Sequence, residues 1–506
     1  MSGIVDRTTI VAPAPCEPAR ETPRSEVFGH LKWGAIWVIG GRVAGIGVTL
    51  LANVALARQL PPADFGKYNL LSSLVSLASS VIMLGLGGAV VRLLPEHLAL
   101  GRLRTAQATL RISYSIVVAM WVIATLVVVS SWPVLASWIS LPTERNFAWL
   151  FVASAGLIAL LQLTAESLRG FHELRFASLL SGGQTGGLLS NSLFVLFFLV
   201  WGYWQASTLN SAILLNIIAM LAITPLALVF LVRTARGDRG LASSEFVDRR
   251  TLSEEMDWHP RFNALLAVCL PLMLVQCVTL ASSQADLWIA GVHCPADDLA
   301  LYSAARRLML LITMPLQMAN FLVISSIAEL KAQNRLKQLE SLLQTTSILA
   351  AIPAILSLSL LAFCGAPIMQ VLFGSFYRDA AWPLTILIVG QFVLAWAGSS
   401  HSTLLMTGHQ NLVLAINTAS ALLLIVGGSL AAERFGICGL AIASSLVVTL
   451  ENIVLMFLVR RLLKISPHVP MGLRACWKKL ANLDVARRLA QRVSVRTSAT
   501  EERHGE

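Results

Sequence analysis

The sequence predicts an all-α polytopic membrane protein, with about twelve transmembrane helices in two pseudo-symmetric six-helix lobes around a central cleft. Three observations predict it. Hydrophobic residues make up 56% of the chain and charged residues only 13%, with a mean hydropathy of +0.72, whereas soluble domains carry roughly a quarter charged residues. The apolar residues gather in twelve runs, each long enough for the roughly 20-residue helix that crosses a bilayer core. Two segments between these runs also recur in register, 233 positions apart. Pro62-Ala63-Asp64 returns as Pro295-Ala296-Asp297, each followed by a tyrosine (Tyr68 and, one position further on, Tyr302), and Glu96 with Arg102-Leu103-Arg104 returns as Glu329 with Arg335-Leu336-Lys337. Because six is an even number, two such units share one orientation. They can then pack around an axis along the membrane normal and build a site between them that opens to either side in turn.

The elements follow in order. Residues 1–30, rich in Pro, Thr, Ala and Arg, are expected to be a disordered cytoplasmic arm. Spans near 31–57, 67–94, 112–134, 147–168, 177–201 and 206–232 form the first lobe, 31–233. The first run is too long for a cleaved signal segment and lacks a small-residue cleavage site, so it is read as a retained helix. A charged connector, 234–261, joins the lobes as a solvated cytoplasmic linker. Spans near 262–290, 299–328, 341–363, 380–405, 411–431 and 436–459 form the second lobe, 262–464. In the tail, 465–506, Leu473, Leu480, Leu483 and Ala490 share one helical face while Arg474, Lys478, Arg488 and Arg492 lie toward the other. Such a basic amphipathic helix suits an anionic membrane surface.

Orientation follows from charge, because positive loops stay in the cytoplasm. Thirty of the 38 Lys and Arg fall in the segments that lie inside if the N-terminus does; the outer loops hold only Arg58, Lys67, Arg145, Arg378 and Arg434. Both termini are therefore read as cytoplasmic. The net charge of +11 reflects this topology, and no nucleic-acid partner is expected. The seven cysteines have no metal-ligand spacing, and no cofactor site is recognised; a disulfide among Cys294, Cys364 and Cys438, all at outer ends, stays open. The outer loops are too short for a catalytic domain. No nucleophile triad, paired carboxylates, phosphate-cradling loop or HExxH motif is present, which argues against an enzyme.

Ionisable residues inside spans cost roughly 2.5–3.5 kcal/mol each on insertion scales, so each needs a reason. Arg42 lies ten residues beyond Lys32, about 15 Å deep at the helical rise, among Gly40, Gly41, Gly45 and Gly47. Either it lines a polar cleft and meets an anionic group, or helix carbonyls or a carboxylate satisfy it. Asp286 in span 7 and Arg306-Arg307 in span 8 sit at similar depth on either side of the turn near 291–298, where an Asp286–Arg306 ion pair is natural. The two arginines point about 100° apart, so one of them is available for a ligand. Glu451 in span 12 is also deep; it can carry a coupling proton or pair with Arg42. For His401 a hydrogen-bonded core role is preferred to a proton relay.

Several stretches carry a family resemblance. The run ValAlaLeuAlaArgGlnLeuProProAlaAspPheGlyLysTyr (54–68), then LeuGlyLeuGly (84–87) and ValValArgLeuLeuProGlu (90–96), resembles the opening of Wzx-type polysaccharide flippases. So do LeuArgGlyPheHisGluLeuArgPheAla (168–177), AlaLeuTyrSerAlaAlaArgArgLeu (300–308), LeuPheGly (372–374), LeuLeuMetThrGlyHisGln (404–410) and GlyIleCysGlyLeuAla (436–441). The resemblance covers about 30–465 and implies the multidrug/oligosaccharidyl-lipid/polysaccharide exporter superfamily. It implies two lobes that form a V-shaped cleft lined by helices 1, 2, 7 and 8. It also implies an undecaprenyl-pyrophosphate-linked oligosaccharide, moved across the bacterial inner membrane for exopolysaccharide or O-antigen synthesis. Arg42, Arg306 and Arg307 are then the diphosphate contacts, since the guanidinium fork suits phosphate oxygens. Asn53, Ser72, Ser73, Gln276 and Gln284 would be the polar cleft groups that serve the sugars, and Asp286 and Glu451 would serve positioning or coupling. Partners would be the lipid-linked oligosaccharide and membrane lipids, with polymerase or ligase machinery left open. The rivals are a multidrug antiporter, disfavoured by the lack of a carboxylate in span 1, a peptidoglycan-precursor flippase, which typically has two further spans, and a non-transporting scaffold.

Overall fold

The computed structural model describes residues 24–99, 103–138, 142–171, 173–180, 187–235, 258–309, 327 and 335–465. These are helical almost throughout, as a bilayer requires: with no water in the hydrocarbon core, each backbone N–H and C=O must bond within its own segment. Among the described residues, seven helices are long and apolar enough to cross a membrane, eight when one bent pair is taken as a single span. The chain is a multi-pass membrane protein.

In chain order the helices are α1 (Arg24–Gln59), α2 (Pro62–Ile82), α3 (Leu86–Ala99), α4 (Leu103–Trp138), α5 (Arg145–Gly170), α6 (Leu174–Leu180), α7 (Leu188–Trp204) and α8 (Leu209–Ala235). Then come α9 (Trp258–His293), α10 (described over 296–309), α11 (Leu336–Phe373), α12 (Ala381–Ala397), α13 (Ser400–Met406) and α14 (Gln410–Leu463). The repeated Pro-Ala-Asp is a helix start: Pro62 fills the first helical position, where its missing N–H costs nothing, and Asp64 sits in the first turn, where a carboxylate suits the positive end of the dipole.

Three expected spans are not continuous helices. Span 67–94 bends by 46° between α2 and α3. There Leu84 and Gly85 take φ of 48° and 74°, and a side chain at Gly85 would run into the Cys269 carbonyl and lie 2.7 Å from Met273 N. The break therefore lets α3 press against α9. Span 380–405 parts at Gly398 into α12 and α13, and 177–201 is shared between α6 and α7 around 181–186, outside the described residues. Conversely, the spans at 411–431 and 436–459 form one 54-residue run, α14, broken at Gly436. At 1.5 Å per residue that is about 80 Å, enough for two crossings of a roughly 30 Å core. Span 299–328 is described only to 309, so the count of twelve is not reached on described residues. Of the flanking segments, 1–23, 236–257 and 466–506 lie outside them.

Packing falls into two groups. α5 is the hub of the first, touching α2, α3, α4, α6 and α8, with α1 against α6 and α7; α14 is the hub of the second, touching α9, α12 and α13. The groups meet where α2 and α3 lie along α9 and where α1 reaches α11. Large apolar side chains such as Leu126, Leu226, Phe363 and Leu446 stay exposed on the outside, where lipid rather than protein covers them. Cys294, Cys364 and Cys438 are free thiols.

Candidate functional site

The seam between the two helix groups is closed at one end, the end that positive-residue placement assigns to the outside. Phe65, fully buried at the start of α2, meets Tyr377 edge-on with ring centroids 5.6 Å apart and Phe373 at 6.5 Å. Gly66 allows this approach, since a Cβ there would lie 2.9 Å from Ala300 N of α10. Arg58 donates from Nε to the Leu372 carbonyl at 2.9 Å and from Nη2 to that of Val371. A cation thus sits on the C-terminal carbonyls of α11, where the helix dipole favours it.

Just below this closure, α9 and α10 bring the sequence-selected charges together. Asp286 is buried, and its Oδ1 lies 3.1 Å from Nη1 of Arg306. Tyr302 donates its hydroxyl to Asp286 Oδ2 at 2.9 Å, and the Leu287 N–H donates to Oδ1. Arg306 Nη1 also donates to Gln284 Oε1 at 3.0 Å, and Nη2 to the Ser283 carbonyl. Both ions are therefore paired and hydrogen-bonded, which a buried pair needs if it is not to cost more in desolvation than it returns. Arg307 points elsewhere. Its Nε donates to Asn69 Oδ1 of α2 at 2.8 Å, across the seam. Asn69 in turn donates to the Phe65 carbonyl at 3.0 Å. Trp288 Nε1 makes a second cross-seam bond, to Ser73 Oγ at 3.0 Å. Arg307 has no carboxylate partner among the described residues.

The other candidates lie apart. The Arg42 side chain is outside the described residues. Asn53 is buried against its own group: its Nδ2 donates to the Thr49 carbonyl at 2.7 Å, and Thr49 Oγ1 accepts from Asn191 of α7 at 2.9 Å. Its Oδ1 is buried with no hydrogen-bond partner among the described residues. Ser72 turns into the first group and, with Tyr68, Ser76, Ser154 and Asn216, lines a polar cavity of about 40 Å³, room for a few waters. Gln276 is exposed on α9, and His401 is half-buried in α13. Glu451 is half-buried and accepts from the Ser420 hydroxyl, both within α14. Glu166 pairs with Arg169 at 2.7 Å. At the outer rim, burial pushes the Cys294 thiol up to about 11, with Asp298 adding to the effect.

The repeat gives the arrangement a logic. Asn53 and Asp286 stand nine residues before Pro62 and Pro295, so they occupy matching places. Tyr68 and Tyr302 stand one position out of register, six and seven residues after those prolines: one accepts from Asn216 at 2.8 Å, the other donates to Asp286. One copy is neutral and polar; the other is charged. Sequence reasoning passed over Asn69, Trp288 and Tyr302 as site residues. Tyr302 was findable, because four residues separate it from Arg306, one helical turn on the same face. Asn69 and Ser73 show the same spacing, but nothing in the sequence points that face at α10.

The family described as "Polysaccharide biosynthesis protein" matches residues 31–325. No curated protein matches the chain. Among solved structures, an inward-facing multidrug resistance MATE family transporter of the MOP superfamily aligns with a TM-score of 0.68 at 15% identity, covering 85% of this chain and 98% of that one. The lipid II flippase MurJ in an inward closed conformation aligns at 0.63 and 14% identity, covering 90% and 92%. An outward-facing MATE transporter aligns at 0.59 and 15%, covering 85% and 95%. These likenesses show that the chain shares the fold of those transporters and of MurJ. With more than half its length matched, the chain belongs to the polysaccharide biosynthesis protein family.

Proposed function

We propose that this protein is a flippase that moves undecaprenyl-pyrophosphate-linked oligosaccharide units from the cytoplasmic to the periplasmic leaflet of the bacterial inner membrane by alternating access. The observation that carries the reading is Arg307: a cation at membrane depth, on the seam between the two helix groups, held by a neutral asparagine rather than a carboxylate. A diphosphate is the class of ligand that justifies keeping such a charge in the membrane. Arg306 stands beside it, and Arg42 belongs to the same set by sequence. Gln284 and Asn53 are the groups offered to sugars, while the lipid tail stays in the bilayer. The lobes 31–233 and 262–464 rock against each other, the linker 234–261 permits it, and both termini remain cytoplasmic. With the seam sealed at Phe65, Phe373 and Tyr377 on the side read as outer, loading would take place from the cytoplasm. Polymerase or ligase machinery on the far side would consume the delivered unit.

The test is deletion of the chain in its host, followed by analysis of surface polysaccharide and of lipid-linked oligosaccharide in each leaflet. Loss of polymer with units trapped on the cytoplasmic side is the expected result and names the glycan. Normal polysaccharide with altered sensitivity to cationic dyes would overturn the reading in favour of a drug antiporter.

A further inference from the structure

A second site lies on the outer flank of the first helix group, away from the seam. α4 and α8 both pack on α5, and they face each other at the end where Lys and Arg gather. Between them is a crevice of about 420 Å³. Its two walls are helical stripes. Gln107, Arg111 and Tyr114, at i, i+4 and i+7, come from α4, and Leu228, Leu231 and Val232, at i, i+3 and i+4, come from α8. Gln107 ties the mouth by donating from Nε2 to the Ala235 carbonyl at 3.0 Å, and the Tyr114 hydroxyl meets Thr164 Oγ1 at 2.7 Å. Both of these polar groups are thus engaged within the protein. Arg111, which is exposed, has no hydrogen bond or ion pair among the described residues. The sequence adds Arg102, Arg104, Arg236 and Arg239 at the same end, while Arg233 is outside the crevice lining.

We propose that this crevice binds an anionic phospholipid of the cytoplasmic leaflet, its phosphate on Arg111 and an acyl chain along the leucine wall. The shape and the charge select that occupant. An apolar slot open to the bilayer is filled by hydrocarbon at no desolvation cost, and an exposed guanidinium with no protein partner among the described residues draws a phosphate at the headgroup level. Basic pockets between spans on the cytoplasmic side are suited to anionic headgroups. The crevice lies away from the Arg307 site, since among the described residues α4 packs on α2, α3 and α5, and α8 on α2, α5 and α7. The choice of leaflet rests on the orientation read from the positive residues.

The experiment titrates the full-length protein in mild detergent with phosphatidylglycerol, phosphatidylcholine or inorganic phosphate and follows thermal unfolding. Phosphatidylglycerol alone should raise the midpoint, because a ligand that binds only the folded state stabilises it. Arg111→Gln should need about tenfold more lipid, the equivalent of one charge-assisted hydrogen bond. Val232→Trp, at an exposed position on the other wall, should weaken binding while leaving Arg111 in place. Arg233→Ala, exposed on the same helix, should bind as the wild type does. Equal stabilisation by phosphatidylcholine, an equal effect of phosphate, or equal losses in Arg111→Gln and Arg233→Ala would each overturn the proposal.

Discussion

Two adjacent arginines, 306 and 307, behave differently because the helix turns about 100° between them. One is locked into a carboxylate, an amide and a carbonyl; the other spans the seam to Asn69. The expected consequences differ too. Arg307→Ala should cut export roughly ten- to a hundredfold, the loss of about 1.5–3 kcal/mol of charge-assisted bonding, at unchanged membrane levels. Arg307→Lys should recover little, because it keeps the charge but not the Nε–Asn69 geometry. Arg42→Ala and Arg42→Lys should likewise impair export; normal export by Arg42→Ala removes Arg42 from the substrate set. Asp286→Asn should lower thermal stability, since breaking a buried pair costs about 3–5 kcal/mol. Combining it with Arg306→Gln should restore much of that stability, as contacting residues do in a double-mutant cycle. If export returns with stability in the double variant, the pair is structural; if stability returns alone, Arg306 serves the substrate.

At the scale of elements, what was legible depended on whether the signal lay in hydropathy or in packing. The starts of α2 and α10 were readable from Pro-Ala-Asp, since proline and an early carboxylate act locally. The Asp286–Arg306 encounter was readable because a short turn fixes two antiparallel helices side by side. The breaks at Leu84-Gly85 and Gly398 were not, because the flanking residues are apolar on both sides and a hydropathy window runs straight through them. Asn69 was hidden for a different reason: its role exists only where α2 meets α10, which no local pattern encodes. The α2–α3 break yields its own prediction. Gly85→Ala should destabilise the protein by about 1–3 kcal/mol, through its positive φ and the contact with the Cys269 and Met273 backbone. Gly45→Ala, with open space around its Cβ position, should not. Thermal unfolding of the two variants in detergent separates the cases.

At the scale of the molecule, the seam is asymmetric along its length. Its outer end is bound by aromatic packing, the Arg58 cap on α11 and two cross-seam hydrogen bonds that depend on Arg307 and Trp288. An anion competing for Arg307 would weaken one of those bonds, and so links occupancy of the site to release of the outer closure. A population shift from nearly all closed to nearly all open needs roughly 5.5 kcal/mol of differential binding, which several substrate contacts made in the open state can supply together. If the closure must open in every cycle, tying it shut must stop transport without removing any proposed substrate contact. Phe65→Cys with Tyr377→Cys, in a chain whose seven native cysteines are replaced, can be joined by a short cleavable thiol cross-linker, since the two rings are in contact. Export should cease in cross-linked membranes and return on cleavage, while the uncoupled single-cysteine chains stay active throughout. Undiminished export with the linkage complete would mean that this end does not open, and that the unit leaves by another route.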